Sequence, residues 1–213
     1  MDKFSNLRYR EKRFLANLNS LPEKDKDFVM KAYKLAERYH RGQGRDEGGP
    51  YIIHCLRITN NLIEKLGMKK REVLAAALLH DTIEDTKLTL NKVEEIFGRK
   101  VALIVADLTR EHEGDTEGNK YQRKLRKHKG IIRSDKDTGA IKTLDCLDNV
   151  RSWALIPESH PSRDKFKRWF KEAEAIYIPL AETVNSKIVD EMRKALVEVK
   201  QIRLFKTNKY RKN

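Results

Sequence analysis

The sequence contains few of the residues that cross-link or interrupt a protein chain. Among 213 residues there are two cysteines, five prolines and ten glycines. The two cysteines, Cys55 and Cys146, exclude the disulfide framework of a small secreted domain and suit a reducing compartment. Because proline and glycine are the strongest helix breakers, their scarcity leaves room for long helices.

Long apolar runs are missing as well. The most apolar stretch, residues 73–79, is far shorter than the roughly 20 residues that a membrane-spanning helix needs. The residues at the start, Met1 to Phe4, lack the apolar core of a signal peptide. We therefore expect a cytoplasmic protein with no membrane partner.

The length and composition are typical of one folded domain. A chain of 213 residues can bury one sizeable core, whereas two full domains would be a tight fit. Charged residues make up 37% and hydrophobic residues 39%, which indicates a soluble globular protein rather than a disordered one. We predict a single domain over residues 1–205 and a basic tail over residues 206–213.

Acidic residues are in deficit. The chain has 32 aspartates and glutamates against 46 lysines and arginines, and its formal net charge is +14. Much of the positive excess lies in residues 123–129 and 200–212. A positive surface attracts nucleic acid, a membrane surface or a phosphorylated small molecule, whereas runs of this kind are more often solvated faces or tails. Composition alone leaves both interpretations open.

Helical patterning extends through almost the whole chain, because apolar residues recur at a spacing near 3.6 and no strand pattern or internal repeat is found. The expected helices cover about residues 4–18, 20–40, 51–66, 70–83, 89–98, 99–108, 121–132, 138–155, 161–184 and 186–205. The glycine-rich residues 42–50 predict a loop, and the acidic residues 111–119 predict a mobile one. The sequence therefore predicts an all-α fold of about nine to ten helices, with residues 73–79 central to the core.

The strongest local signal for chemistry follows that apolar run. His80 and Asp81 come directly after it, and Glu84 and Asp85 follow one helical turn later. On a helix each residue shares a face with the residue four positions on, so one pair can bind a cation while the next handles protons. The alternative is a capped and solvated helix end, and these residues alone do not decide between the two.

Two further residues are candidates to complete a metal site. His54 lies on the preceding helix, where a lone histidine is more often a satisfied core residue than a ligand. Asp145 lies among core-like neighbours, where a carboxylate is costly to bury unless it is paired or bound to metal. Lys142 and Asn149 share its helical face. Two imidazoles with two carboxylates suit a divalent ion such as manganese, and cysteine-rich zinc chemistry is not indicated.

The order of these motifs resembles that of the HD phosphohydrolases and, more narrowly, the hydrolase domain of the RelA/SpoT family. Each motif alone is weak, but the ordered set is specific, and it covers about residues 28–185. The matching stretches are His40-Arg41-Gly42-Gln43 with Arg45, Gly49-Pro50-Tyr51-Ile52-Ile53-His54, Ala75 to Leu79, His80-Asp81-Thr82-Ile83-Glu84-Asp85-Thr86, Phe97-Gly98, Val101-Ala102, Ile141-Lys142, Asp145, Leu147, Asn149-Val150-Arg151 and Ile176-Tyr177-Ile178-Pro179-Leu180-Ala181.

The resemblance implies an HD-domain helical fold and a role for each matching residue. One manganese ion per chain would be held by His54, His80, Asp81 and Asp145. Glu84 and Asp85 would position and deprotonate the attacking water. The implied substrate-binding positions are Arg45, which would stack on a guanine base, then Lys142, Asn149 and Arg151 on the nucleotide and phosphate side, and Ser152, where the family often has threonine.

The resemblance further implies a reaction. A small alarmone hydrolase of this type removes the 3′-pyrophosphate from ppGpp or pppGpp and releases GDP or GTP plus pyrophosphate. The long members of the family also carry synthetase and regulatory domains, for which this chain has no room. The chain departs from the family pattern at four positions, which are Asp46 for a usual basic residue, Cys55 for proline, Cys146 for arginine and Asp148 for histidine or tyrosine.

Three alternatives stay open at this stage. Asp46 leaves room for another nucleotide, such as an adenine alarmone or the 2′-phosphate of NADPH. A non-catalytic module would instead bind nucleic acid through the basic tail and residues 123–129, although the complete set of ligands and carboxylates disfavours a nucleic-acid partner. An antitoxin that neutralises an alarmone-making enzyme would use the same hydrolysis. The oligomeric state is open, a homo-oligomer included.

Overall fold

The computed structural model describes residues 3–110, 116, 119–133 and 135–207. The α-helices are α1 Leu7–Leu18, α2 Glu23–Tyr39, α3 Ile52–Leu66, α4 Arg71–Leu79, α5 Thr82–Asp85, α6 Leu90–Phe97, α7 Arg99–Leu108, α8 Lys120–Arg133, α9 Lys136–Trp153, α10 Phe166–Glu172, α11 Ile178–Glu182 and α12 Ser186–Thr207. A 3₁₀ segment, Pro161–Lys165, precedes α10, and a π segment, Ala173–Tyr177, joins α10 to α11.

The all-α prediction is confirmed. Within the described ranges every extended element is helical, and the sole bridge of β type is isolated, between Gly44 and Pro50. If the continuous run 166–182 counts as one helix and the single turn α5 is left out, those ranges hold ten helices.

Most of the expected loop at residues 111–119, and residues 208–213 of the expected tail, lie outside the described residues. In the part of the chain that is described, no helix is both long enough and apolar enough to cross a bilayer.

Local signals place several helix ends where the sequence predicted them. The Thr89 side chain accepts a hydrogen bond from the Lys92 N–H at 3.3 Å and so caps the start of α6. Gly67, with φ of +65°, ends α3 in the left-handed conformation that glycine adopts without a steric penalty. Both helix ends depend on residues a few positions apart in the chain. For this reason the sequence pattern was enough to predict where they lie.

The helix α4 is the centre of the core, as predicted. Every residue from Val73 to Leu79 is fully buried. The helix packs against α2, α3, α7 and α9, so it is enclosed by four others. A helix that is apolar on all sides is stable only in such a setting. Its carboxyl end is therefore held rigidly at the point where the polar residues begin.

The expected helix over residues 70–83 is interrupted. α4 ends at Leu79, and the single turn α5 begins at Thr82. The Thr82 hydroxyl donates to the Leu79 carbonyl at 2.6 Å, and such local side-chain bonds compete with the helix ladder. The i, i+4 pairs formed by His80 with Glu84 and by Asp81 with Asp85 therefore span a break instead of sharing one continuous helix.

The long helix expected over residues 161–184 is also broken. The π segment Ala173–Tyr177 inserts a wider turn into it, a feature often found at functional sites. Tyr177, at the end of this segment, is buried and lines the cavity described below.

Candidate active site

The structure brings the four candidate metal ligands together from three helices. α3 supplies His54, the end of α4 supplies His80 and Asp81, and α9 supplies Asp145. Nε2 of His80 is 3.0 Å from Oδ2 of Asp81. Nε2 of His54 is 3.6 Å from the same oxygen and 3.3 Å from Oδ1 of Asp145. These four side chains, separated by up to 91 residues in the chain, come together around Nε2 of His54 and Oδ2 of Asp81.

Both histidines present the same ring nitrogen to that point. Nδ1 of His80 is 2.9 Å from the Ala77 carbonyl, and Nδ1 of His54 is 2.6 Å from Oδ2 of Asp148. Since a carbonyl and a carboxylate can only accept, each Nδ1 carries a hydrogen, and the neutral form of each ring offers the lone pair of Nε2 to a metal ion. The two Nε2 atoms are buried and make no hydrogen bond to any described residue.

This arrangement fits a divalent cation. A buried polar atom without a partner is unfavourable unless something coordinates it. Two imidazole lone pairs beside two carboxylates supply the mixed nitrogen and oxygen ligands that manganese and related ions accept. His54, His80 and Asp81 have ligand atoms that all lie within 4.8 Å of one another. The acceptors on Nδ1 fix both rings in place, as acceptors behind metal-binding histidines commonly do.

Asp148 orients His54, a role that sequence reasoning missed. Its Oδ1 accepts from Nε of Arg57 at 2.6 Å, and its Oδ2 accepts from Nη2 of Arg57 at 2.8 Å. Burial alone would raise the pKa of Asp148, but the Arg57 guanidinium lowers that pKa well below its usual range. Asp148 follows Asp145 by three residues, and Arg57 follows His54 by three. This spacing of three residues, repeated on two adjacent helices, is the sequence feature from which the pairing of Asp148 with Arg57 could have been predicted.

Glu84 and Asp85 lie beside these candidate ligands. Together with His54, Asp81 and Asp145 they line one cavity, whose size and other residues are given below. Oε2 of Glu84 accepts from the Arg110 backbone N–H at 2.9 Å, which fixes the carboxylate relative to the end of α7. Burial and the neighbouring Asp81 raise the pKa of Asp85. A carboxylate with a raised pKa is a better proton acceptor near neutral pH than an ordinary one.

A chain of hydrogen bonds leads from Asp145 to the loop before α3. Lys142 donates to Asp145 Oδ2 at 2.7 Å, and Asn149 donates to Oδ1 at 2.7 Å, so the expectation that both share its helical face is confirmed. Nη2 of Arg45 donates to Asn149 Oδ1 at 2.8 Å. Burial alone would lower the pKa of Lys142, but the Asp145 carboxylate raises it overall, and the ammonium stays charged.

Two connected cavities surround these residues. The first, which we call the ligand cavity, has a volume of about 360 Å³, and His54, Asp81 and Asp145 are among its lining residues. Eight cations stand among its lining residues beside the four carboxylates Asp81, Glu84, Asp85 and Asp145, and these cations are Arg45, Arg110, Lys120, Lys124, Lys127, Lys142, Lys165 and Arg168. The second, which we call the aromatic cavity, has a volume of about 280 Å³. Both cavities share Arg45, Tyr51, Asn149, Trp169 and Tyr177.

The aromatic cavity is shaped by residues that sequence reasoning did not select. Trp153 stacks on Trp169 with ring centroids 5.2 Å apart, and both rings line the cavity. The Arg45 guanidinium, which also lines this cavity, lies over the Tyr51 ring, 5.4 Å from its centroid. Flat aromatic and guanidinium surfaces of this kind bind flat heterocycles by stacking. Ser152 and Asp46 also line this cavity.

Arg151 is the one predicted substrate-binding residue that lines neither cavity. Its Nη2 lies 2.6 Å from Oε2 of Glu191 on α12, and it contributes to neither lining. Six residues along a helix rotate a side chain by about 240°, so Arg151 faces away from Asp145. Its role on the nucleotide side stays a prediction, and helix geometry places its side chain toward α12.

The basic run 123–129 contributes partly to the site. Lys124 and Lys127 line the ligand cavity, whereas Arg126 and Lys129 are exposed. Nζ of Lys124 lies 2.6 Å from both Glu172 Oε2 and the Tyr177 hydroxyl, which ties α8 to the π segment. The run is thus neither wholly a solvated face nor wholly a binding surface.

Comparison with known proteins agrees with this architecture. The family model described as "HD domain" matches residues 32–185. A protein of Aquifex aeolicus named guanosine-3′,5′-bis(diphosphate) 3′-pyrophosphohydrolase is 38% identical over 157 residues, which is 72% of this chain and 21% of that protein. A GTP pyrophosphokinase of Streptomyces coelicolor is 37% identical over 153 residues, which is 72% of this chain and 17% of that protein. This chain thus spans about a fifth of the length of these relatives.

A solved structure shares the fold. The structure, described as a metazoan ortholog of SpoT that hydrolyses ppGpp, superposes with a TM-score of 0.72 at 23% identity. The match covers 84% of this chain and 97% of that one, so the two share the helical arrangement almost throughout. The match of the family model over residues 32–185 shows that the chain belongs to the HD domain family.

Proposed function

We propose that the protein hydrolyses the 3′-pyrophosphate of ppGpp and pppGpp in a metal-dependent reaction. The observation that carries the proposal is the pair of buried Nε2 atoms, of His54 and His80, facing two carboxylates beside a cavity that eight cations line. The matched relatives bear the names of both a hydrolase and a pyrophosphokinase. Metal ligands beside candidate proton acceptors are the groups that hydrolysis needs, and they favour that activity.

We propose His54, His80, Asp81 and Asp145 as the ligands of one Mn²⁺ ion. Such an ion, when bound, lowers the pKa of a coordinated water and withdraws charge from a phosphate oxygen. Asp148 holds the His54 ring at 2.6 Å so that its Nε2 faces the site. Tyr51 donates to Asp81 Oδ2 at 2.6 Å and orients that carboxylate in the same way.

The chain's own groups supply the remaining steps. Glu84 or Asp85 accepts the proton of the attacking water, whose oxygen bonds to phosphorus while the bond from phosphorus to the 3′ oxygen breaks. The 3′ oxygen takes up a proton and leaves as the hydroxyl of GDP or GTP, and pyrophosphate is released. Lys142 and Arg168, both lining the cavity, offset the charge that develops on the phosphates.

The aromatic cavity is the proposed site for the base. The Arg45 guanidinium and the Trp169 ring present flat surfaces there. Asn149 and Ser152 supply polar groups at its edge, which can distinguish one purine from another. Both residues were candidate substrate contacts from the sequence, and we retain them as proposals.

The test is hydrolysis by purified protein with Mn²⁺ or with chelator, followed as release of pyrophosphate and of GDP or GTP. Metal-dependent release of both products supports the proposal. The Asp81→Asn variant should lose metal and turnover together, whereas Glu94→Gln, an exposed carboxylate on α6, should behave as wild type. Full turnover by Asp81→Asn in the absence of bound metal would refute the site.

A second candidate is an HD hydrolase acting on another nucleotide. Asp46, whose side chain is 46% exposed, lines the aromatic cavity, and it places a carboxylate where the RelA/SpoT pattern has a basic residue, so the nucleotide bound there can differ. Adenine alarmones and NADPH are the substrates to compare with ppGpp under identical conditions. Faster release from either one would move the assignment to that nucleotide while leaving the metal site in place.

A non-catalytic nucleic-acid module is tested separately. Titration with single-stranded RNA at two salt concentrations would show tight, steeply salt-dependent binding if that role were the main one.

We also retain residues 1–205 as one hydrolase domain and the cytoplasm as its location. Cys55 and Cys146, both buried free thiols, suit that reducing compartment.

A further inference from the structure

The proposed proton acceptors lie on a helical segment that is too short to be stable alone. α5 is a single turn of four residues, Thr82–Asp85. The Asp85 backbone N–H donates to the Asp81 carbonyl at 2.9 Å, and the Thr86 hydroxyl donates to the Thr82 carbonyl at 2.6 Å. Isolated helices shorter than about 12 residues are marginal in water, because the first turn fixes several residues for one hydrogen bond. The turn therefore needs support from the residues around it.

The Gln43 side chain supplies such support from the loop before α3. Its Nε2 donates to the Asp85 carbonyl at 2.8 Å. Its Oε1 lies 2.6 Å from Nδ1 of His40, and since an amide oxygen can only accept, that ring nitrogen carries the hydrogen. The bond from His40 therefore fixes which end of the amide faces Asp85.

The backbone of Gln43 is held as well. Its N–H donates to the His40 carbonyl at 3.0 Å, and its carbonyl accepts from the Tyr51 N–H at 3.0 Å. Gln43 is thereby bonded to the residue after α2, to the residue before α3 and to the last residue of α5. It precedes Asp85 by 42 residues, so this contact depends on the tertiary structure.

The same residues approach the proposed metal ligands by a separate route. The His40 ring stacks on the Tyr51 ring, with centroids 4.5 Å apart and planes 15° apart. The Tyr51 hydroxyl donates to Asp81 Oδ2 at 2.6 Å. This route does not pass through the Gln43 side chain. Replacing the amide should therefore release α5 and leave the carboxylate of Asp81 in place.

We propose that Gln43 is a positioning residue, whose amide holds α5 so that Glu84 and Asp85 stay in place to accept the proton of the attacking water. The inference rests on the proposed role of these two carboxylates. A further bond to the turn, from the Arg110 backbone N–H to Glu84 Oε2 at 2.9 Å, comes from beyond the end of α7. Since small displacements of a reacting group are costly in rate, loss of the Gln43 bond should slow the reaction.

The experiment replaces Gln43 and measures the turn and the reaction separately. Gln43→Glu keeps an oxygen for His40 and removes the donor to Asp85, and Gln43→Met removes both bonds without adding charge. Amide hydrogen exchange of the full chain in chelator, followed by NMR, reports the opening of α5 through the Asp85 N–H. We expect that amide to exchange about threefold to tenfold faster in both variants. The Val93 N–H, which belongs to α6, should exchange as in the wild type.

Turnover of ppGpp with Mn²⁺ is the second measurement. We expect kcat to fall about tenfold or more in both variants, while KM and Mn²⁺ affinity stay within about twofold of the wild-type values. A general loss of structure would instead change KM, Mn²⁺ affinity and the exchange of Val93 together. The matched controls are Gln201→Glu and Gln201→Met, at an exposed residue of α12, and both should behave as wild type.

Each outcome decides the proposal. Faster exchange at Asp85 together with a lower kcat supports it. Exchange at Asp85 that matches the wild type in both variants overturns it, whatever the turnover, and so does faster exchange with an unchanged kcat. If the wild-type protein released no pyrophosphate from ppGpp, the proposed function would fail, and exchange at Asp85 would still decide whether Gln43 holds α5.

Discussion

Replacement of Asp148 by asparagine tests the claim that a buried carboxylate orients His54. The substitution keeps the size of the side chain and removes its charge. Asp148 is 2% exposed and lies 2.6 Å from both Nδ1 of His54 and Nε of Arg57. The asparagine amide can accept a bond from only one of these groups with its single oxygen, and its NH₂ group faces a donor.

The magnitude follows from the environment of Arg57. Breaking a buried ion pair by removing one partner destabilises a protein by about 3 to 5 kcal/mol. Arg57 retains a bond from its Nη2 to Glu47 at 2.8 Å and one from its Nη1 to the Phe4 carbonyl at 3.2 Å. Because its charge is not left wholly unpaired, we expect the lower end of the range, a loss of about 3 kcal/mol in the free energy of unfolding.

Two assays measure the consequence. Urea unfolding in the presence of chelator gives the stability change, and Mn²⁺ titration of the folded variant gives the metal affinity. We expect affinity to fall about 10-fold to 100-fold, as for other groups that orient a ligand. Asp190→Asn, which neutralises an exposed carboxylate on α12, is the matched control. An Asp148→Asn protein with wild-type stability and wild-type Mn²⁺ affinity would refute the reasoning.

Three further predictions concern the site and its surroundings. His80→Ala should abolish both Mn²⁺ binding and turnover, since it removes a proposed ligand, and calorimetry with a turnover assay checks both. Glu84→Gln should keep Mn²⁺ affinity but lose about 100-fold or more in turnover, because a glutamine cannot accept the proton; full activity would leave Asp85 as the sole acceptor. Burial, with help from Lys142, lowers the pKa of His128 to about 3. Its neutral form is thus favoured by folding, so its contribution to stability is complete above about pH 6.5 and is lost as the pH falls below that value. In chelator at pH 4.5 this loss is about 2 to 3 kcal/mol in the free energy of unfolding. Urea unfolding of a His128→Gln variant should therefore show a smaller fall in stability between pH 7 and pH 4.5 than the wild type shows. An equal fall in both proteins would contradict the pKa assigned to His128.

The sequence by itself determined the helices and much of the candidate site. The 3.6 spacing of apolar residues, the Thr89 cap and the Gly67 end depend on neighbours a few positions apart, so they could be read without the fold. The alignment of Lys142 and Asn149 with Asp145 is equally local, because a single helix fixes it. The ordered motifs indicated the HD family for the same reason, since each motif is a short segment.

Only the tertiary structure decided which helix faces meet. Asp148 stood out in the sequence solely as a departure from a family pattern, and its bond to His54 exists because α3 and α9 pack side by side. Arg151 matched the family, yet its position on α9 turns it toward Glu191. The break after Leu79 depends on local hydrogen bonds that periodicity does not register. Contacts between residues distant in sequence depend on the relative rotation and crossing of whole helices, which no local pattern specifies.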